Sequence, residues 1–263
     1  MKEQVKDWLE EGKIDIFLGY KIVDGHPTPY CFTKEKIEEL DDIVESEVRY
    51  PLEKIALNIC RLNPGIKVGL LARDCTQRAL NVMYVWNQLN PDDVKIVKLS
   101  CCPSYLEKHP DCSYLIPSSS REPGFGIDSK APTESLELMN QEELFRRWMY
   151  EFQKCIKCYG CRNICPVCFC KECSLEHPDL IGTGDFPPEI PIFHLVRATH
   201  MAGRCIDCGL CEDACPADIP LRLLYRKVNE ITQNIFDYKP GIDRDQPPFN
   251  VLGDKVTLEP KPL

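Results

Sequence analysis

Two copies of one cysteine pattern restrict this chain more than any other feature. Cys155, Cys158, Cys161, Cys165 and Pro166 recur as Cys205, Cys208, Cys211, Cys215 and Pro216, each shifted by 50 positions. Both copies read C-x2-C-x2-C-x3-C-P. The chain holds 17 cysteines, and an odd number does not suit a framework of disulfides. The opening residues, MKEQVKDWLEEGK, carry charges where a secretory leader needs an apolar stretch. A reducing, cytoplasmic setting is therefore expected, in which free thiols ligate metals or carry redox chemistry.

The repeated run resembles the ligand run of two-cluster bacterial ferredoxins, which bind 4Fe–4S clusters. The physical reason lies in the shape of a cubane. Three thiolates two residues apart let one loop wrap three iron corners, and the fourth corner needs a thiolate from elsewhere. In such ferredoxins the fourth cysteine of each run serves the other cluster. Carried over, the resemblance implies one cluster on Cys155, Cys158, Cys161 and Cys215, and a second on Cys205, Cys208, Cys211 and Cys165. Gly160 and Gly209 are expected to give the loops freedom, and Ile156, Ile164, Ile206 and Ile219 to exclude water. A pair of zinc knuckles is the competing reading, but a zinc ribbon needs only two C-x2-C pairs, without the third cysteine, the x3 step or the proline.

Nine cysteines lie outside the repeat. Cys168, Cys170 and Cys173 crowd into CPVCFCKEC, where Lys171 and Glu172 make a plain core role a poor fit. A third 4Fe–4S cluster or a zinc ion suits them, with a fourth ligand from another part of the chain; His177, His194 and His200 are the zinc candidates. Cys75, Cys101, Cys102 and Cys112 follow predicted strands and are expected near one sheet edge, where α/β folds bind ligands. Cys60 fits an apolar helix face. No phosphate-binding glycine loop, G-x-G-x-x-G turn or serine nucleophile elbow is present.

Residues 1–115 read as an α/β domain. Helices are expected at Lys2–Glu11 and Lys34–Glu45 with a Gly/Pro loop at Gly25–Pro29 between them, and another helix begins after Pro51. Ile66–Ala72, the helical stretch 75–90 and Val94–Leu99 form a βαβ unit with parallel strands. A Ser/Pro/Gly linker spans 116–135. A ferredoxin-like two-cluster domain with helical flanks spans 136–236, with helices at about Leu136–Gln153, from Ile192 to about Met201, and Leu221–Phe236. Residues 237–263 read as an extended arm. With 32 basic against 41 acidic residues, the net charge of −9 argues against nucleic-acid binding, and no apolar run reaches membrane-spanning length.

Two stretches carry a wider resemblance. Residues 147–236 resemble dicluster iron–sulfur proteins of anaerobic redox complexes. KVGLLARDCTQRALNVMYVWNQLN with the following VKIVKLSCC resembles the β-subunit family of deazaflavin-coenzyme-reducing hydrogenases and formate dehydrogenases. That family commonly carries RGCDERAL where this chain has Arg73-Asp74-Cys75-Thr76-Gln77-Arg78-Ala79-Leu80, so Asp74 and Thr76 depart from it. The resemblance implies a non-catalytic electron-transfer subunit that relays single electrons. Its implied partners are flavin- or metal-containing subunits of formate dehydrogenase-, hydrogenase- or heterodisulfide reductase-like complexes, or a soluble ferredoxin. The alternative is an oxidoreductase β subunit with its own flavin or deazaflavin site at the N-terminal sheet edge, beside Arg73, Cys75 and Cys101.

Overall fold

The computed structural model describes residues 1–101, 139–182, 189, 191–242 and 247–249. The expected linker at 116–135, most of the loop Gly182–Pro191, Cys102, Cys112 and most of the C-terminal arm lie outside them. The chain divides into two units, Met1–Pro110 and Asp111–Leu263.

The first unit is a mixed four-stranded sheet of order β2-β1-β3-β4, flanked by helices α1 (Lys2–Glu10), α2 (Leu52–Leu62) and α3 (Asp74–Val85). Strands β1 (Ile16–Val23), β3 (Val68–Ala72) and β4 (Val94–Lys98) run parallel, and β2 (His26–Thr33) pairs antiparallel to β1. The β3–α3–β4 unit matches the expected βαβ, because the continuous apolar run of β3 is buried at every residue. The hairpin β1–β2 replaces the expected Gly/Pro loop. Asp24 and Gly25 both adopt positive φ, +51° and +79°, the pair that a tight hairpin turn demands. Pro27 and Pro29 are compatible with a strand here because β2 is an edge, where a missing N–H breaks no ladder. Lys34–Asp42 is a kinked 3-10 segment, with Lys36 outside helical geometry, rather than the α-helix expected there.

The second unit is mostly helical and loop. Helix α4 (Gln141–Gln153) begins later than its apolar pattern suggested, because Asn140 caps it and Glu143 returns the bond in a capping box. One-turn helices α5 (Gly160–Asn163) and α7 (Leu210–Asp213) follow the first two cysteines of each repeat copy. Between them runs α6 (Ile192–Met201), and α8 (Leu221–Phe236) closes the unit against α6. In the described part of the C-terminal arm, Tyr238 is buried and Phe249 meets the Phe236 ring edge-on at 5.2 Å.

Candidate metal centres

The two repeat copies fold alike from their first cysteine. In the first, Lys157 and Tyr159 adopt left-handed backbone, at φ +51° and +57°; in the second, Asp207 and Gly209 do so, at +54° and +79°. This turn aims main-chain N–H groups back at the thiols. Lys157 N donates to Cys155 Sγ, Gly160 N to Cys158 Sγ and Asp207 N to Cys205 Sγ, each at 3.4 Å. Successive amides in such turns form a concave anion nest, suited to thiolate and sulfide.

Gly209 supplies the conformational freedom expected of it. Gly160 does not, since the left-handed residue is Tyr159. What Gly160 supplies is room: a Cβ there would sit 3.1 Å from the Ala214 carbonyl oxygen and 3.4 Å from Cys158 Sγ.

Two cavities open where the copies meet. Cys155, Cys158, Cys161 and Cys215 line one. Cys165, Cys205, Cys208 and Cys211 line the other. Each takes three cysteines from one copy and the fourth from the other. Among the described residues, no group of three or more His, Cys, Asp or Glu side chains is arranged to hold a single metal ion.

The walls fit a cluster in chemistry. Beyond the cysteines they are mostly apolar, with Phe193, Ile219 and Leu221 around the first cavity and Val167, Met201 and Ile206 around the second. Ile206 and Ile219 are buried as expected, whereas Ile156 is half exposed. Each wall also holds a buried polar group without a hydrogen-bond partner: both ring nitrogens of His194 in the first and the Tyr225 hydroxyl in the second. Burial pushes the Cys161 thiol up to about 11 and also raises Cys155 and Cys211, so these groups hold their protons until a cation takes the proton's place.

The second copy is braced from behind in a way the sequence pattern did not disclose. Asp207 is almost fully buried, and its carboxylate accepts from Arg222 Nε at 2.7 Å and Arg226 Nε at 2.8 Å. Asn229 donates to the Cys205 carbonyl at 2.9 Å. Helix α8 therefore turns a polar stripe inward, with Arg222, Tyr225, Arg226 and Asn229 at helical spacing. That spacing was the available signal; a search for apolar positions passes over it.

The third group of cysteines lies differently. Val167, Phe169 and Leu175 are buried between and beside them, and Cys168 and Cys170 turn toward cations. Arg197 Nη1 lies 3.8 Å from Cys168 Sγ, and its Nη2 donates to the Cys161 carbonyl at 2.7 Å. Arg204 Nη1 lies 3.4 Å from Cys170 Sγ. Of the histidine candidates, His177 is exposed beside Asp179, His200 is exposed, and His194 faces the first cavity, none of them completing a single-ion site with Cys168, Cys170 and Cys173. Burial holds the His194 imidazole neutral, lowering its pKa to about 4. In the first unit, Cys101 Sγ reaches Asp74 Oδ2 at 3.8 Å at the start of α3, next to Cys75, so these two do share the sheet's carboxyl edge. Cys60 is half-buried on α2.

Such paired thiolate cavities define a class, the iron–sulfur proteins, and the comparisons agree. Residues 198–220, which contain the whole second copy, match a 4Fe–4S binding domain. The chain is also similar to two curated relatives: the F420-dependent formate dehydrogenase subunit beta of Methanocaldococcus jannaschii, at 45% identity over 106 residues, and the F420-dependent formate dehydrogenase 1 subunit beta of Methanococcus maripaludis, at 42% over 134 residues. The matches cover 40% and 47% of this chain, and the chain spans only 28% and 34% of the relatives' own length. No helix among the described residues is long and apolar enough to cross a membrane.

Proposed function

We propose that this chain is an electron-transfer subunit of a larger oxidoreductase complex, working through two 4Fe–4S clusters in crossed ligation. Cys155, Cys158, Cys161 and Cys215 hold one; Cys205, Cys208, Cys211 and Cys165 hold the other. The observation that carries this reading is the composition of the two cavity walls, each with three cysteines of one copy and the fourth of the other.

When bound, such clusters supply one-electron acceptor and donor states at potentials set by charge, hydrogen bonding and exposure. The protein's part is to hold and shield. Amides of Lys157, Gly160 and Asp207 neutralise sulfur charge, Ile206 and Ile219 keep water away, and the Arg222–Asp207–Arg226 brace fixes the second loop. No side chain is assigned bond-making chemistry in this reading.

The named relatives support a formate dehydrogenase-like complex as the setting; flavin- or metal-containing subunits as electron partners and the cytoplasm as compartment complete the reading. The module at 136–236 is then the conducting domain. Iron and acid-labile sulfide on anaerobically purified protein test the reading. About eight of each per chain, with low-temperature paramagnetic signals on reduction, are expected. Air-stable, colourless protein containing zinc in place of iron would overturn it.

A further inference from the structure

Beside the cavity of Cys155, Cys158, Cys161 and Cys215, helix α6 carries a histidine that the ligand assignment leaves unexplained. His194 is 2% exposed, and neither ring nitrogen has a hydrogen-bond partner. A neutral imidazole always presents one N–H and one bare nitrogen. A buried donor left without an acceptor is costly, and folded proteins rarely tolerate it.

The ring is held in place. Phe152 stacks on its face at a centroid distance of 4.7 Å, and Phe193 meets it edge-on at 5.2 Å. The cavity wall gives it no other side-chain acceptor. Ile156, Phe193, Pro216, Ala217, Ile219 and Leu221 are aliphatic or aromatic. Tyr159, the remaining polar side chain, points its hydroxyl to the Leu175 carbonyl at 2.8 Å, and its oxygen is not a partner of either ring nitrogen of His194. What remains for the histidine to meet is sulfur.

We infer that His194 donates a ring N–H to sulfur of the cluster held by Cys155, Cys158, Cys161 and Cys215, and so raises that cluster's reduction potential above the value the cysteines alone would give. The inference rests on the cluster assignment proposed above. The sign follows from charge: reduction adds an electron to the cluster, and a donor aimed at sulfur stabilises the more negative state. His194 is thus a tuning residue for one centre. It distinguishes the two centres, because the second cavity has no histidine among its lining residues.

The test uses the full chain, purified anaerobically, with histidine labelled by nitrogen-15. Iron and sulfide are counted first, which tests the assignment separately from the inference. Pulsed paramagnetic resonance on the reduced protein should then show a weak histidine-nitrogen coupling to one of two clusters. In His194→Phe that coupling disappears, one cluster titrates at a lower potential and the other is unmoved. His194→Gln, which retains an N–H, brings the potential back toward wild type. Full iron content without any histidine coupling in the wild-type protein overturns the inference while leaving the assignment standing. Because that spectrum needs no variant, it decides the question even if His194→Phe fails to load. A chain holding no iron overturns both.

Discussion

The two copies of the repeat share a backbone and differ in everything that surrounds it. The residue after the first cysteine is Ile156 in one copy, 50% exposed, and Ile206 in the other, 3% exposed. The next residue adopts the same left-handed turn in both. Lys157 reaches from it to Glu189 at 3.2 Å and the Gly182 carbonyl at 3.0 Å, while Asp207 is held between Arg222 and Arg226. Cys158 is exposed and Cys208 buried. The isoleucine after the first cysteine and the second cysteine are thus exposed in one copy and buried in the other. Identical spacing fixes how thiols are presented; the flanking residues decide how much water and charge each centre meets, and those factors set potential.

The largest expected effect tests the brace. Asp207→Ala takes the shared carboxylate from two buried guanidinium groups and should cost about 3–5 kcal/mol of second-unit stability. Lys157→Ala, at the matching position of the other loop, removes one largely buried ammonium that pairs with Glu189 and the Gly182 carbonyl, and should cost less, about 2 kcal/mol. Denaturation of anaerobically held protein, followed through cluster absorbance, measures both; equal losses would erase the contrast.

Next comes the isoleucine pair. Ile206→Ala empties a packed wall and should cost about 3 kcal/mol, whereas Ile156→Ala should stay within about 0.5 kcal/mol. The same denaturation assay reads both, and the loss of air tolerance should follow the same order.

A buried carboxylate without such a brace is present in the first unit. Glu53 is 3% exposed with Oε2 unpartnered, and burial raises its pKa to about 7. Below about pH 4 both folded and unfolded states hold the proton, so nothing is lost. Between there and pH 7 the unfolded chain ionises first, and stability falls as pH rises. Glu53→Gln should therefore stabilise the first unit by about 2–3 kcal/mol at pH 8, with the gain vanishing by pH 4. Iron content should not change. A gain independent of pH would show that Glu53 is not the buried acid described.

The smallest effect concerns the turns themselves. Gly209→Ala should cost about 1 kcal/mol because a Cβ is strained at its φ of +79°. Gly160→Ala should cost a similar amount for another reason, crowding of the Ala214 carbonyl. Moving residue 160 has no φ to relieve, so Gly160→Asn should be worse than Gly160→Ala, and Gly209→Asn better than Gly209→Ala. Thermal unfolding resolves both orders.

Much of this was legible in the chain. The cysteine run announces its chemistry because ligand spacing is local, and β3–α3–β4 announces itself because a fully apolar strand beside a periodic helix has few other uses. The hairpin was hidden by Pro27 and Pro29, which read as loop until β2 is known to be an edge. The α8 brace was hidden because charged residues count as surface, and only the partner at Asp207, in a distant loop, turns Arg222 and Arg226 inward. His194 reads in the sequence only as one of three zinc candidates, since its place depends on a cavity built by residues from both copies. Local spacing is written in sequence; which long-range neighbour satisfies a buried polar group is not.

Crossed ligation is most directly tested by counting iron in paired variants. Cys155→Ser alone should leave about four irons per chain of about eight. If Cys155 and Cys215 serve one centre, the Cys155→Ser/Cys215→Ser pair still retains about four irons, while Cys155→Ser/Cys165→Ser retains almost none. The reverse pattern, with the Cys155/Cys165 pair keeping four irons and the Cys155/Cys215 pair losing all, would mean that each copy holds its own cluster and would contradict the crossed arrangement.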